Sequence, residues 1–229
     1  MRQAESPGEP DRDCPLCPRL ADFRAASRHR EPGWHNAPVP SFGPLDARLL
    51  VVGLAPGLKG ANRTGRPFTG DYAGDLLYAT LAKYGFAEGV YLQRADDGLR
   101  LIDCRIANAV RCVPPENKPT PAEVALCRPF LAAEIAGLKR LRAILALGSI
   151  AHGSVLAALG QRLSRHPFKH GAVYEIPAGE MERGLLLADS YHCSRYNTNT
   201  RRLTTEMFEA VVATLRQRLV QPMDSVKAG

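Results

Sequence analysis

No stretch of this 229-residue chain approaches the ~18 consecutive apolar residues of a membrane span, so no membrane partner is expected. The opening MRQAESPGEPDRDC has no apolar segment, so no secretory signal is expected either, and a reducing cytoplasm is the expected setting. Acidic residues are in deficit: Asp and Glu number 23 against 30 Lys and Arg, a formal net charge of +7. That balance favours a polyanionic partner such as nucleic acid, though an ordinary basic enzyme would show it too. Internal repeats and low-complexity tracts are absent, which excludes solenoids and long disordered arrays. The Gly-rich stretch from 53 to 74 lacks both a GKS/T P-loop and GxGxxG, so a nucleotide cofactor is unsupported. At this length one domain, 13–220, is expected between disordered tails at 1–12 and 221–229.

Cysteines are few but informatively placed. Cys14 and Cys17 form a CxxC, and Cys112 and Cys127 form a wider pair with 14 residues between them. Four thiolates suit zinc or an iron–sulfur cluster. Zinc sites usually show two short knuckles, and only the first pair is one, which tilts the reading toward a [4Fe–4S] cluster. A buried disulfide or unrelated core cysteines are the alternatives. Cys104 and Cys193 are expected to pack in the core.

Apolar runs at 48–54, 102–110, 143–147 and 185–188 read as buried strands. Helical spacing appears at 17–28, 75–86, 150–159 and 205–219. Thr120-Pro121-Ala122-Glu123 is a capping box with proline at N1, which starts a helix running to about Leu138. Strands alternating with helices predict a three-layer α/β/α fold around a four-stranded, mostly parallel sheet. Ligands of such sheets bind at the carboxyl ends of strands.

Three strand-end segments therefore carry the chemistry. The first runs from Gly53 to Asp71, where glycines let the backbone approach a ligand closely. Phe68 within it either stacks on a planar base or plugs the loop from beneath. The second ends the next strand at Asn108, whose amide either reads a nucleobase edge or forms a turn. The third is His192-Cys193-Ser194-Arg195-Tyr196-Asn197, suited to phosphates and an aromatic wedge, or to a solvated loop. His192 either donates to developing negative charge or is structural.

GLAPG at 53–57, GANRTGRPFTGD at 60–71, NAVRCVPPENKP at 108–119 and HCSRYN at 192–197, with the four cysteines, resemble the iron–sulfur uracil-DNA glycosylases of the B-type, or family 5, branch. The resemblance covers about Cys14 to Phe208. It implies a monomeric, monofunctional enzyme that flips uracil out of double- or single-stranded DNA and hydrolyses its N-glycosidic bond. It further implies that Phe68 stacks on the base, that Asn108 hydrogen-bonds its edge and that His192 donates to O2. Gly53, Leu54, Ala55, Pro56 and Gly57 would line the pocket, and Ser194, Arg195, Tyr196 and Asn197 would meet the DNA. Cys14, Cys17, Cys112 and Cys127 would ligate a structural [4Fe–4S] cluster.

Two features depart from related families. Leu54 and Ala55 are apolar where those families carry an acid or amide that positions the attacking water. Asn62, Asp71 and Asp75 are the candidates for that task, although an aspartate there also suits a helix cap. The apolar first motif would also let hypoxanthine or xanthine enter. Cys193 replaces the Pro of an HPS-type motif. The competing readings are a family 4 glycosylase, a non-catalytic iron–sulfur DNA-binding protein and a redox protein.

Overall fold

The computed structural model describes residues 8–177 and 184–220. The expected tail at 221–229, and residues 1–7 of the other, lie outside them. Residues 8–12 are described, and there Glu9 accepts a hydrogen bond from the Ser41 amide at 2.9 Å, which ties the segment to the body.

In chain order the elements are α1 (Pro18–Arg30), β1 (Leu49–Gly53), α2 (Ala61–Thr64), α3 (Tyr72–Lys83), β2 (Ala87–Glu88), β3 (Arg100–Leu101) and β4 (Cys104–Asn108). They continue with α4 (Pro121–Gly137), β5 (Ala143–Leu147), α5 (Ser149–Ala158), β6 (Val173–Ile176), β7 (Leu185–Ser190), α6 (Arg195–Asn199) and α7 (Thr205–Val220). The main sheet runs β4-β1-β5-β7-β6; β4, β1, β5 and β7 are parallel, and β6 is antiparallel at the edge. β2 and β3 form a separate two-stranded hairpin.

Side-chain alternation divides the central strands between two cores. Leu49 and Val51 of β1 point toward α3 and α7, joining Leu77, Leu81, Phe208, Val212 and Leu215. Leu50 and Val52 point the other way, joining Leu131 and Ile135 of α4 and Val155 and Leu156 of α5. Helices on both faces of a mostly parallel sheet make the expected three layers, with five strands rather than four. Cys104 and Cys193 are fully buried in the first core, as packing residues.

α4 starts where its sequence says. Thr120 Oγ1 accepts from the Glu123 amide at 3.3 Å, and the Glu123 carboxylate accepts from the Thr120 amide at 2.7 Å. Arg19 of α1 closes on the same carboxylate at 2.7 and 2.8 Å. That bidentate contact fastens the helix that follows the CxxC onto the helix that carries Cys127. Among the described residues no helix is long and apolar enough to cross a membrane.

Candidate active site and cysteine cluster

The chain passes from β1 to β4 on one side and later to β5 on the other, so β1 and β5 flank the switch point of the sheet. Loops leaving such neighbours diverge and open a crevice. A cleft of about 520 Å³ lies there, within the ~300–1,000 Å³ range of small-molecule sites. Its walls include Leu54, Ala55, Pro56 and Gly57 after β1, Asn108 at the end of β4, Gly148 to Ala151 after β5, and His192 after β7. Phe68 and Asp71 close another side.

Asn108 is 2% exposed, and its Oδ1 has no hydrogen-bond partner among the described residues. A buried amide oxygen left unpaired costs roughly 1–3 kcal/mol, so it is poised for a donor arriving from the cleft. Gly53 lies beneath it. A Cβ at Gly53 would stand 2.5 Å from Asn108 Oδ1 and 2.6 Å from Phe68 Cζ, so glycine alone lets both side chains close over this position.

Phe68 is 7% exposed and adopts a left-handed φ of 52°. That conformation disfavours a bulky residue and persists only where surroundings enforce it. Tyr78 donates to the Pro67 carbonyl at 2.6 Å, and Tyr91 to the Phe68 carbonyl at 3.0 Å. Arg66 reaches Asp97 through two 2.7 Å bonds. Its guanidinium lies among the rings of Phe42, Tyr78 and Tyr91 at 5.1, 5.5 and 5.8 Å. The Phe68 ring stacks against His192 with centroids 5.7 Å apart.

His192 has no hydrogen-bonded side-chain partner among the described residues, and burial lowers its pKa to about 4. It is therefore a neutral imidazole at physiological pH, with an N–H free to donate. Its backbone is fixed by Asn197, whose amide donates to the His192 carbonyl at 2.8 Å. Ser194 caps α6 by accepting from the Asn197 amide N–H at 3.4 Å. Ser194 and Asn197 thus fold the loop, while Arg195 and Tyr196 project outward, Tyr196 being 72% exposed. Arg195 packs over Tyr72, 5.2 Å from its ring centre, at the mouth of the cleft.

The three water-positioning candidates separate. Asp71 lines the cleft, caps α3 by accepting from Ala73 N at 3.2 Å, and has its pKa raised by burial. Asp75 sits one turn on, outside the lining, and accepts from Gln93 at 2.7 Å. Asn62 is fully buried away from the cleft; its Nδ2 donates to Asn36 at 2.9 Å and its Oδ1 has no partner.

Sequence reading missed Tyr72, Asn117 and the Gly148–Ala151 wall. Gly148 follows β5 directly, as GLAPG follows from β1, so the strand-end rule points to this wall as well. Gly148 adopts a φ of 99° that turns the chain sharply into α5.

Cys14, Cys17, Cys112 and Cys127 line one small cavity beside Leu20, Val110 and Phe130. All four thiols are free. The buried Arg24 donates to Cys112 Sγ at 3.1 Å, and the Arg111 amide to Cys127 Sγ at 3.3 Å. Burial raises the Cys17 and Cys112 thiols and carries Cys127 to about 11. Among the described residues no three His, Cys, Asp or Glu side chains converge tightly enough for a single metal ion.

The uracil DNA glycosylase superfamily model matches residues 40–216. A type-5 uracil-DNA glycosylase of Thermus thermophilus is 48% identical over 87% of this chain and 90% of its own length. A type-5 enzyme of Pyrobaculum aerophilum is 39% identical over 87% of this chain and 86% of its own. The type-4 enzyme of the same organism is 33% identical over 60% of this chain and 62% of its own. The matched span holds every strand of the main sheet and every cleft wall named above, so the chain belongs to the uracil DNA glycosylase superfamily.

Proposed function

We propose that this protein is a monofunctional uracil-DNA glycosylase of the type-5 class, acting in base excision repair. The observation that carries this is the unpartnered Asn108 oxygen in a cleft whose walls also bring together Phe68, Asp71 and His192. The N3–H of uracil is the donor this oxygen lacks, and the amide N–H₂ complements O4. Phe68 supplies an aromatic wall for the flipped base. Extrusion of the base costs a few kcal/mol, least at a G·U mismatch.

As the N-glycosidic bond breaks, its electron pair moves onto uracil and negative charge develops at N1 and O2. The neutral His192 donates a hydrogen bond to O2 where that charge appears. The sugar becomes oxocarbenium-like and water adds at C1′. Of the three candidates Asp71 alone lines the cleft, and its raised pKa suits a group that takes the water's proton. Arg195 and Tyr196 stand outward at the mouth, where they would meet phosphates and the gap left by the base.

Asn108→Ala should lower uracil release from a G·U duplex by about 10²-fold or more, because it removes both base-edge contacts. Alkaline cleavage at the abasic site is the readout. Strand scission without alkali would overturn the monofunctional reading, and tight binding without release would favour a non-catalytic DNA-binding protein. Hypoxanthine and xanthine duplexes belong in the same series, since apolar Leu54 and Ala55 present no polar group against them.

The cysteine cavity suits a [4Fe–4S] cluster better than zinc. Four thiols gather at one cavity, and only Cys14 and Cys17 have the short spacing of a zinc knuckle. Arg24 and the Arg111 amide would offset the charge of thiolate ligands. Bound there, a cluster would act as a structural staple joining α1, α4 and the chain after β4. Anaerobically purified protein should carry about four irons, and Cys112→Ser should lose them with a lower Tm. Stoichiometric zinc in their place would reverse the assignment.

A further inference from the structure

Next to the cleft, α4 and α5 leave a groove of about 290 Å³ between them. One side is Pro121, Val124 and Arg128, spaced three and four residues apart on a single stripe of α4. The other is Ile150, Gly153 and Ser154, the last two lying three and four residues beyond Ile150 on the same face of α5. Ile150 belongs to both the groove and the cleft, so the two are continuous.

Three observations give the groove an occupant. Gly153 lies inside a helix, where glycine is markedly less favourable than alanine. A Cβ there would meet nothing within 4 Å, so packing does not demand glycine and the position simply keeps the groove open. Ile150 is 49% exposed at the junction, an apolar side chain with no core to cover it. Arg128 has a buried Nε with no partner and no ion pair among the described residues, in a chain of net charge +7. An apolar channel, a free guanidinium and continuity with the base cleft match a nucleotide: sugar and base against Pro121, Val124 and Ile150, phosphate toward Arg128.

We propose that the α4–α5 groove is a DNA subsite that holds the strand flanking the flipped base, on one side of it only. The proposal rests on the glycosylase reading and extends the contact surface beyond the loop at 192–197. Gly153→Leu fills the groove without touching the cleft and adds a better helix former. Arg128→Gln removes the cation.

The test is fluorescence anisotropy of uracil-containing duplexes, full-length or cut back to the uracil on the 5′ or the 3′ side, with wild type and both variants. Gly153→Leu should weaken full-length binding by about tenfold. Arg128→Gln should weaken it and reduce the slope of log K against log salt by about one. Both effects should vanish on the duplex shortened on one side and persist on the other. Unchanged affinity in both variants would overturn the subsite, leaving the groove to some other occupant, and so would equal losses on both shortened duplexes. Wild-type protein that binds DNA but never releases uracil would instead defeat the glycosylase reading, which the excision assay reads separately. Circular dichroism of each variant confirms that the fold is retained.

Discussion

His192→Ala should lower the single-turnover rate of uracil release by about 10²–10³-fold, the loss typical of removing one preorganised donor from a developing anion. The size follows from the setting. The imidazole lies against Phe68, has no hydrogen-bonded side-chain partner among the described residues, and is held neutral by burial, with a pKa of about 4 against an ordinary 6.5. The effect should fall on rate rather than on affinity for DNA, because the bond strengthens as charge moves onto O2.

The same burial fixes a pH dependence. Above about 6.5 the imidazole is neutral in folded and unfolded chains alike. Between that value and about 4 the unfolded chain takes up a proton that the folded protein resists, so the stability contributed by neutral His192 erodes across this window as pH falls. Uracil release should therefore show no ionisation near 6.5 attributable to His192. Any acid limb should belong to Asp71, above the ordinary carboxylate value of 3.8 because burial raises it. Comparing pH profiles of wild type with those of His192→Gln and Asp71→Asn separates the two. A limb near 6.5 that disappears in His192→Gln would show a solvated imidazole and defeat the neutral-donor role.

Much of this was legible in the chain because its chemistry is local. Leu49 to Val52 reads as a buried parallel strand since both faces need apolar side chains, and the Thr120–Glu123 box is written within four residues. Phe68 stands out as an apolar ring in a polar, glycine-rich loop, while Asn108 and His192 draw notice by their places at the end of β4 and after β7, where a turn or a structural role reads equally well. The strand β6 does not stand out, because Val173-Tyr174-Glu175-Ile176 is an edge strand covered on one side only, and its pattern is mixed. Asn62 reads as a water-positioning candidate in a glycine-rich loop; that its Nδ2 is engaged by Asn36, 26 residues away, is recorded in no local pattern. Ser194 and Asn197 read from the sequence as DNA contacts, and the capping and carbonyl bonds they also make exist only once the loop has folded.

A second large effect concerns a charge far from the cleft. Glu134 of α4 is 2% exposed and lies between two buried guanidiniums, Arg105 of β4 and Arg111 three residues beyond Asn108. Burial opposes its ionisation, but Arg111 and Arg105 outweigh that and hold its pKa below the ordinary range. Ser41 donates to the same carboxylate at 2.7 Å, and Arg111 in turn donates to Ser41 Oγ at 2.6 Å. Removing the anion takes their shared partner from two buried cations and leaves Arg111 with the longer contact to Glu9 at 3.4 Å, a class of change that costs about 3–5 kcal/mol. Glu134→Gln should therefore lower Tm by roughly 10 °C for a chain of this size. The loss should reach function too, since Arg111 and Cys112 directly follow the segment that holds Asn108. Uracil release should decline at temperatures where wild type is fully active, while the rate at low temperature stays near normal. A Tm within about 2 °C of wild type, on the same scale, would show that water or rearranged partners solvate the guanidiniums. The network would then be a surface-like feature, and the link from the α4 core to the base-reading amide would fall with it.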